Sequence, residues 1–473
     1  MAEGETRSGL FGGVFARGGG VADDTAWLRA LLDTEAGLAR ALERAGLAPA
    51  GSGEAVTDAA KPENFDIGEL GQLSGLTGNP VPGLARALAR KVGTPAARAV
   101  HRGATSQDIM DTAMMLLARR AIDAIQTDLR TAADAAARLA DTYRNALMIG
   151  RTLLQQAVPV TFGLVAAGWL DGLDEAGTGL KNVREHRLAA QLGGAAGTLA
   201  SLGADGPRIA RLLAAELGLG PATLPWHTQR LRVIDVVMVM ARTTAVLGKI
   251  ARDVTLLAQT EVGELSEGGG GDHPPTSPAL STAGAPRRGG SSAMPNKRNP
   301  VAAIAILGCT KQVPGLAATV LASAEQEEQR AAGAWHAEWL PFAQILTLTG
   351  SAAAWGAELL PGLSPDTGRM AGNLAATEGL PLAEHVTAVL AGVLGGPEAH
   401  DLVAEAAERA VASGLPLRDV LLGVPDLERK LARAGITAAQ IESALDPAGY
   451  LGATQPFIDA ALSAHEQEGK DNG

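Results

Sequence analysis

The densest group of reactive side chains lies in the run from Gly289 to Pro300, which reads Gly-Gly-Ser-Ser-Ala-Met-Pro-Asn-Lys-Arg-Asn-Pro. It combines paired hydroxyls at Ser291 and Ser292 with closely spaced cations. Residues 263–290, which lead into it, are glycines, prolines and small polar residues, too irregular for a helix and too long for an ordinary connection. Loops of this kind are commonly functional or disordered. We expect the chemistry here, with a merely solvated loop as the alternative for residues 268–286.

A second dense stretch runs from His101 to Thr112. Thr105 and Asp108 stand three residues apart ahead of a long periodic segment, which is a capping-box pattern for a helix start. The unpaired amides of that helix end, together with the hydroxyls of Thr105 and Ser106, would accept a carboxylate. Helix capping alone is the alternative interpretation.

Other polar residues have plausible binding chemistry and an ordinary structural alternative. Arg230 could clamp a carboxylate, since a guanidinium binds it through a two-point fork, or form a surface ion pair. Asn79 lies in a turn, and turn formation alone would explain it. Lone histidines beside tryptophan, at His227 and His336, are more often packed than catalytic. The sequence shows no cluster with metal-ligand spacing and no phosphate-binding loop after a strand.

Composition favours a helical, multidomain protein. The 473 residues are 46% hydrophobic but only 3% aromatic, and alanine, leucine and glycine dominate. The net charge of −11 argues against binding to nucleic acid or an anionic membrane, because both require clustered cations. Cys309 is the single cysteine, so an intrachain disulfide is excluded and a reducing cytoplasm fits. We expect no signal peptide and no membrane-spanning stretch.

Periodicity predicts an all-α fold built on long helices. Residues 104–149 contain neither glycine nor proline and carry apolar residues at three- and four-residue steps, which predicts one very long helix. Residues 158–191, 230–265 and 299–323 show comparable patterns. We predict an amino-terminal helical domain (1–104), a central long-helix bundle (105–361) with a flexible catalytic loop (263–298), and a carboxy-terminal helical domain (362–473) whose charged tail from His465 is disordered.

The pattern Gly-Ser-Ser-x-Met-Pro-x-Lys-x-Asn-Pro at residues 290–300 resembles the signature of the fumarase/aspartase superfamily. The stretch at 105–112 resembles the family's Thr-Ser-x-Asp-x-x-Asp-Thr motif. Residues 226–230 (Trp-His-Thr-Gln-Arg) and 335–339 (Trp-His-Ala-Glu-Trp) resemble the branch that holds 3-carboxy-cis,cis-muconate cycloisomerase. The resemblance covers nearly the whole chain.

This resemblance implies a mechanism and an assembly. Ser291 would remove a proton next to a carboxylate, and Lys297 with Asn299 would hold the dianionic carboxylate that results, as fixed positive charge must where negative charge develops. The substrate would be a small dicarboxylate, no cofactor would be needed, and homotetramers would build each active site from three subunits. The residues expected to bind substrate are Thr105, Ser106, Gln107, Thr152, Gln155, Gln156, Arg230, Ser292, Met294, Asn299 and Asn79.

The chain departs from the family at the expected general acid. Many relatives place histidine directly after the threonine of the second conserved region, and others directly after its glutamine. Leu153 and Gln156 occupy these places here, and neither exchanges a proton near neutral pH. The branch also places aspartate between two arginines where this chain has Leu231, which leaves the partner of Arg232 undefined.

The missing acid favours a leaving group that requires no protonation. An amine, an alkoxide or a cycloisomerisation would need a proton donor, whereas nitrite would not. The sequence therefore favours a lyase that converts nitrosuccinate to fumarate and nitrite. The alternatives are 3-carboxy-cis,cis-muconate cycloisomerase, a C–N lyase of the adenylosuccinate, argininosuccinate or aspartate type, and a catalytically silent helical oligomer. Transfer of the acid role to His101, His227 or His336 would remove the argument for nitrite.

Overall fold

The computed structural model of the protein describes residues 9–268, 289–290, 294 and 297–471. Helices dominate this part of the chain, which confirms the predicted all-α class. In order, the α-helices are α1 (Gly12–Phe15), α2 (Asp24–Arg44), α3 (Ser52–Ala59), α4 (Ile67–Thr77), α5 (Val81–Val92), α6 (Ser106–Thr142), α7 (Phe162–His186), α8 (Gly206–Leu217), α9 (Leu231–Leu257), α10 (Val301–Thr310), α11 (Val313–Ala322), α12 (Ala334–Leu359), α13 (Thr367–Ala375), α14 (Ala383–Leu394), α15 (Gly396–Ser413), α16 (Leu417–Gly423), α17 (Pro425–Arg433), α18 (Ala438–Ala444) and α19 (Thr454–Asp471).

Short strands accompany the helices in the described residues. Strand β1 (Leu147–Thr152) pairs antiparallel with β2 (Gln155–Thr161), and β3 (Leu265–Glu267) pairs antiparallel with β4 (Leu363–Pro365). Thr152 lies opposite Gln155, so β1 and β2 form a hairpin with a two-residue loop.

The chain divides into two compact units, each discontinuous in sequence. The first comprises Met1–Thr131, Glu175–Ala251 and Ala302–Glu358. The second comprises Ala132–Asp174, Arg252–Val301 and Leu359–Gly473. The domain division at 104/105 and 361/362 stays a prediction.

In the first unit, α2 forms as the sequence predicts. The Asp23 carboxylate accepts a hydrogen bond from the Ala26 amide at 2.8 Å and so caps the helix start. Leu31 and Leu38 are among the residues that its apolar face buries. Helix α2 packs against α3 and α8.

The predicted long helices are shorter than periodicity suggested. Helix α6 ends at Thr142, not at residue 149, because residues from Leu147 pair with β2. For the same reason, residues 155–161 are a strand, and the helix predicted from residue 158 begins at Phe162. Backbone pairing between neighbouring segments overrides the helical pattern here.

Residues 299–323, predicted as one helix, form α10 and α11 with a break between Thr310 and Val313. By length and composition alone, residues 301–322 would be able to cross a membrane, contrary to our expectation from sequence. The core helix of a folded protein passes the same test, and Ile306 and Cys309 are buried in the protein.

In the second unit, the tail expected to be disordered is helical up to Asp471. His465 lies between two carboxylates: Nδ1 is 3.0 Å from Asp174 Oδ1 and Nε2 is 3.0 Å from Asp134 Oδ1. These contacts fasten α19 to α7 and α6. The prediction of a disordered tail is therefore wrong as far as residue 471.

Candidate active site

The start of α6 is fixed by the buried carboxylate of Asp108. Its oxygens accept hydrogen bonds from the backbone amides of Gly193 at 2.8 Å, Gly194 at 2.9 Å and Thr105 at 2.9 Å. The bond from Thr105 is half of the predicted capping box, since the side chain of the third helical residue reaches back to the cap amide. Asp108 therefore caps α6 and also holds the turn at 193–194 against it.

The same carboxylate holds His227, whose Nε2 lies 2.7 Å from Asp108 Oδ1. Only 4% of His227 is exposed. A second histidine considered as an acid, His101, contacts Glu35 in the same manner, with 2.7 Å between Nδ1 and Oε1. Burial opposes the charge on His101, but Glu35 raises its pKa above the usual value. Both imidazoles are thus engaged by carboxylates inside the first unit.

Arg230 lies at the centre of a buried ionic network. Its guanidinium forms a two-point contact with Asp111, at 2.7 and 3.0 Å. On its other side it contacts Glu338, at 3.0 Å from Nε and 2.6 Å from Nη2. All three side chains are fully buried. The network joins α6 to α12 and to the residue that precedes α9.

Electrostatics favour the charged form of Arg230. Burial opposes its charge, but Asp111 and Glu338 together outweigh burial and raise its pKa further. Burial raises the pKa of Glu338, while Arg230 acts in the opposite direction. Neutral donors supply the remaining bonds: Trp335 Nε1 donates to Asp111 at 3.1 Å, and Gln326 Nε2 donates to Glu338 at 2.8 Å.

This network bears on the role predicted for Arg230. The five N–H bonds of a guanidinium are all directed at protein oxygens of Asp111, Glu338 and two backbone carbonyls. Arg230 therefore has no donor left for a substrate carboxylate. The geometry assigns it to holding helices together. The partner of Arg232, which the sequence left undefined, is a backbone carbonyl: Arg232 Nη1 donates to the carbonyl oxygen of Arg187 at 2.8 Å.

A different arginine has the properties of a carboxylate ligand. Arg330 donates to Gln107 Oε1 at 3.2 Å and to the carbonyl oxygens of Gly194 and Ala195 at 3.3 and 2.8 Å. These partners are neutral, and no carboxylate of the described residues forms an ion pair with Arg330. A half-buried cation compensated only by neutral acceptors favours a nearby anion. Sequence reasoning missed Arg330, because it follows five consecutive acidic or amide residues, a pattern typical of a solvated loop.

The predicted substrate ligands on α6 differ in availability. Gln107 is fully buried and holds Asp111, the carbonyl of His227 and Arg330. Thr105 and Ser106 are partly exposed, and their hydroxyls make no hydrogen bond to another described residue. The helix end therefore offers two hydroxyls, and the next residue, Gln107, contacts the cation of Arg330.

Asn79 forms a local turn. Its Oδ1 accepts from the Val81 amide at 3.1 Å, and its Nδ2 donates to the Thr77 carbonyl at 3.4 Å. A Cβ placed on the adjacent Gly78 would lie 3.8 Å from His336 Nε2, so this turn borders the imidazole. His336 is exposed and packs against Trp335 and Trp339.

In the second unit, the predicted ligands Thr152, Gln155 and Gln156 flank the tip of the β1–β2 hairpin. All three side chains are exposed and make no hydrogen bond to another described residue. Beside the tip, Arg151 lies opposite Gln156 and makes two 2.8 Å contacts with the buried carboxylate of Glu264. The hairpin is thus anchored next to the polar side chains that it presents.

Gly289 and Asn299, which lie on either side of the two serines in sequence, contact each other. The amide of Asn299 donates to the Gly289 carbonyl at 2.8 Å, and its Nδ2 donates to the same oxygen at 3.2 Å. A Cβ on Gly289 would lie 2.5 Å from the Asn299 carbonyl oxygen, so only glycine fits. Lys297 and Met294 are exposed. The predicted base Ser291 and its neighbour Ser292 lie outside the described residues.

Two models of known protein families match this chain. A family model described as lyase matches residues 32–315, and a model described as the adenylosuccinate lyase carboxy terminus matches residues 379–461. The chain belongs to the fumarase/aspartase superfamily. Its helical fold and its identity as an enzyme of this superfamily agree with the sequence prediction.

Two curated relatives of the superfamily differ in the reaction that their names describe. Nitrosuccinate lyase of Streptomyces davaonensis is 44% identical over 94% of this chain and 92% of its own. 3-Carboxy-cis,cis-muconate cycloisomerase of Bradyrhizobium diazoefficiens is 42% identical over 94% of this chain and 95% of its own. A crystal structure of the 3-carboxy-cis,cis-muconate lactonizing enzyme from Pseudomonas putida matches with a TM-score of 0.86 and 38% identity, covering 97% and 99% of the two chains.

The buried network yields a stability prediction. Arg230→Met should lower the free energy of unfolding by about 3–5 kcal/mol, because Asp111 and Glu338 would remain buried without a cation. Burial raises the pKa of Glu338 and Arg230 opposes this rise, so without Arg230 the folded-state pKa of Glu338 would be higher still, and the variant should regain stability as the pH falls and lose it as the pH rises. Denaturation midpoints at several pH values measure this.

The matched control removes an exposed ion pair. Arg242→Met breaks the contact with Glu175, whose side chains are 58% and 73% exposed, and should cost no more than about 1 kcal/mol. Arg230→Met combined with Glu338→Gln should be more stable than Arg230→Met alone. Equal losses for Arg230→Met and Arg242→Met would contradict the assignment of Arg230 to a stabilising network.

Proposed function

We propose that the protein is a lyase that eliminates nitrite from nitrosuccinate and leaves fumarate. The observation that carries this proposal is the hairpin tip, where residues 152–156 contain no titratable side chain and Leu153 points out of the chain, 97% exposed. A leaving group bound at such a tip would depart without a proton from it. Nitrite suits this condition, because it is a weak base.

In the proposed reaction, Ser291 removes the proton from the carbon next to one carboxylate. The electron pair forms the carbon–carbon double bond as the bond from the other carbon to the nitro nitrogen breaks, and nitrite leaves with that bond's electrons. Lys297 and Asn299 hold the carboxylate on which negative charge develops. No metal or cofactor takes part.

We assign the second carboxylate of the substrate to Arg330 with Thr105 and Ser106. Arg330 supplies a cation whose partners in the protein are neutral oxygens, Thr105 and Ser106 supply two hydroxyls, and both lie at the amino end of the 37-residue helix α6. Each favours an anion. Arg230 supports this site indirectly, because it fixes Asp111, which accepts from Gln107, and Gln107 in turn accepts from Arg330.

We also propose that the protein is a cytoplasmic homotetramer in which three subunits build each active site. Apolar side chains exposed on the long helices support an assembly: Leu231 and Met238 on α9 are 61% and 40% exposed, and Leu340 on α12 is 74% exposed. Exposed apolar surface on long helices is typical of helices that pack against further helices.

The second candidate is 3-carboxy-cis,cis-muconate cycloisomerase, and His336 is the observation that favours it. Of the three histidines considered as acids, it is the one that this structure leaves exposed and without a carboxylate partner in the described residues. If His336 supplied a proton, the argument for nitrite would lose its basis. Lyases that release an amine would require such an acid as well.

The reaction is tested directly by product analysis. Nitrosuccinate should give fumarate and nitrite in equal amounts, whereas 3-carboxy-cis,cis-muconate should give no lactone, and aspartate, argininosuccinate and adenylosuccinate no fumarate. Arg330→Gln should lower kcat/KM for nitrosuccinate by about 100-fold, because a charge-assisted contact to a carboxylate is lost. Arg208→Gln, at an exposed arginine, is the control and should leave it unchanged. Lactone formation that His336→Gln abolishes would establish the cycloisomerase instead.

The shared site is tested by complementation. Ser291→Ala and Arg330→Gln should each be nearly inactive, and subunits of the two variants, mixed by co-expression, should recover part of the wild-type nitrite release. Recovery is expected because some sites would then draw an intact Ser291 and an intact Arg330 from different copies. Purified hetero-oligomers with no more activity than either variant would contradict a site shared in this way.

A further inference from the structure

The two-residue loop of the β1–β2 hairpin has unusual residues for its geometry. Both Leu153 and Leu154 have positive φ, 52° and 64°. Loops of this type ordinarily contain Asn-Gly or Gly-Gly, because a side chain crowds the backbone in the left-handed region. Backbone geometry therefore gives no reason for leucine at either position.

Packing within the chain gives no reason either. Leu153 is 97% exposed and Leu154 is 72% exposed. Unfavourable backbone conformations persist where the surrounding structure determines them, and they concentrate at functional sites. The two leucines are thus suited to a contact that forms outside the folded chain itself.

The surroundings of the tip indicate what that contact is. Thr152, Gln155 and Gln156 present hydroxyl and amide groups beside the leucines, with no hydrogen bond to another described residue. The hairpin is held beside its tip, because Glu264 contacts Arg151 and also accepts a 2.7 Å hydrogen bond from Asn373. A fixed tip that presents polar side chains beside two apolar ones matches a small ligand with polar oxygens.

We propose that Leu153 and Leu154 determine the specificity of the enzyme for its leaving group by packing against the nitro group of the bound substrate. This inference rests on the proposed function. As the carbon–nitrogen bond breaks, the negative charge spreads over the two nitrite oxygens, which accept from Thr152 and Gln155, the pair that lies opposite across the hairpin. An ammonium group at the same place would lose part of its hydration against the leucines, which disfavours aspartate.

The test replaces the leucines with the residues that the loop geometry prefers. Leu153→Asn combined with Leu154→Gly relieves the backbone, so the melting temperature should not fall. We expect kcat/KM for nitrosuccinate to fall by about tenfold or more, because the apolar contact is lost. Fumarate has no leaving group, so its inhibition constant should change by less than about twofold.

Two controls isolate the contact. Leu153→Met with Leu154→Met keeps the apolar bulk and should retain most of the activity. Leu415→Asn changes a leucine that is 50% exposed in the loop between α15 and α16, and it should have no effect. Both variants are compared with the wild type in the same nitrite assay.

Three results would overturn the inference. An unchanged kcat/KM would mean that the tip does not contact the substrate. A parallel weakening of fumarate binding would place the contact elsewhere on the substrate. A smaller oligomer in solution would assign the leucines to a contact between copies of the chain. The wild-type enzyme separately tests the proposed function: without nitrite release from nitrosuccinate, that function and this inference both fail.

Discussion

The buried guanidinium of Arg230 is the interaction on which the first unit depends. One cation lies between the carboxylates of Asp111 and Glu338, away from water, so the three groups stabilise one another only while all are in place. Tryptophan and amide donors complete the hydrogen bonding of the carboxylates. Because the partners belong to α6 and α12, this contact fixes α6, whose start carries candidate substrate ligands, against α12.

Arg230 and Arg330 therefore have different roles in the first unit. Arg230 is saturated by protein oxygens and has a structural task. Arg330 rests on the neutral oxygens of Gln107, Gly194 and Ala195, and its charge is available to a ligand. Asp108 contributes to the position of Arg330, because it fixes the turn at 193–194, where Gly194 supplies one acceptor for Arg330 and the next residue, Ala195, supplies another.

Sequence patterns were sufficient for the fold class and the superfamily, because the signature residues are consecutive and helical periodicity is local. They were insufficient where contacts between distant segments decide. The strands at 147–161 form by pairing with each other, and His465 orders the carboxy-terminal helix through aspartates more than 290 positions away. For the same reason, Arg230 was predicted to bind a substrate carboxylate: its two carboxylate partners in the protein lie 119 and 108 positions away in the sequence, so local patterns do not reveal them.

At the hairpin tip, the backbone conformation conflicts with the local preference of the residues. The resemblance in sequence suggested that leucine stands where a histidine is expected, but only the backbone showed that Leu153 and Leu154 occupy an unfavourable conformation. Local preference and structure disagree at this position, as they do at functional sites. Within the proposed mechanism, the tip contributes donors and apolar surface to the leaving group and contributes no proton.

The central claim, an elimination that uses a base but no general acid, is tested most directly by the pH dependence of kcat/KM for nitrosuccinate. The pH range of this measurement should stay below the pH at which nitrosuccinate itself ionises to its nitronate. We predict a single ascending limb as the base loses its proton, with a plateau above it. A bell-shaped profile whose descending limb disappears in His336→Gln would contradict the claim and identify His336 as the acid.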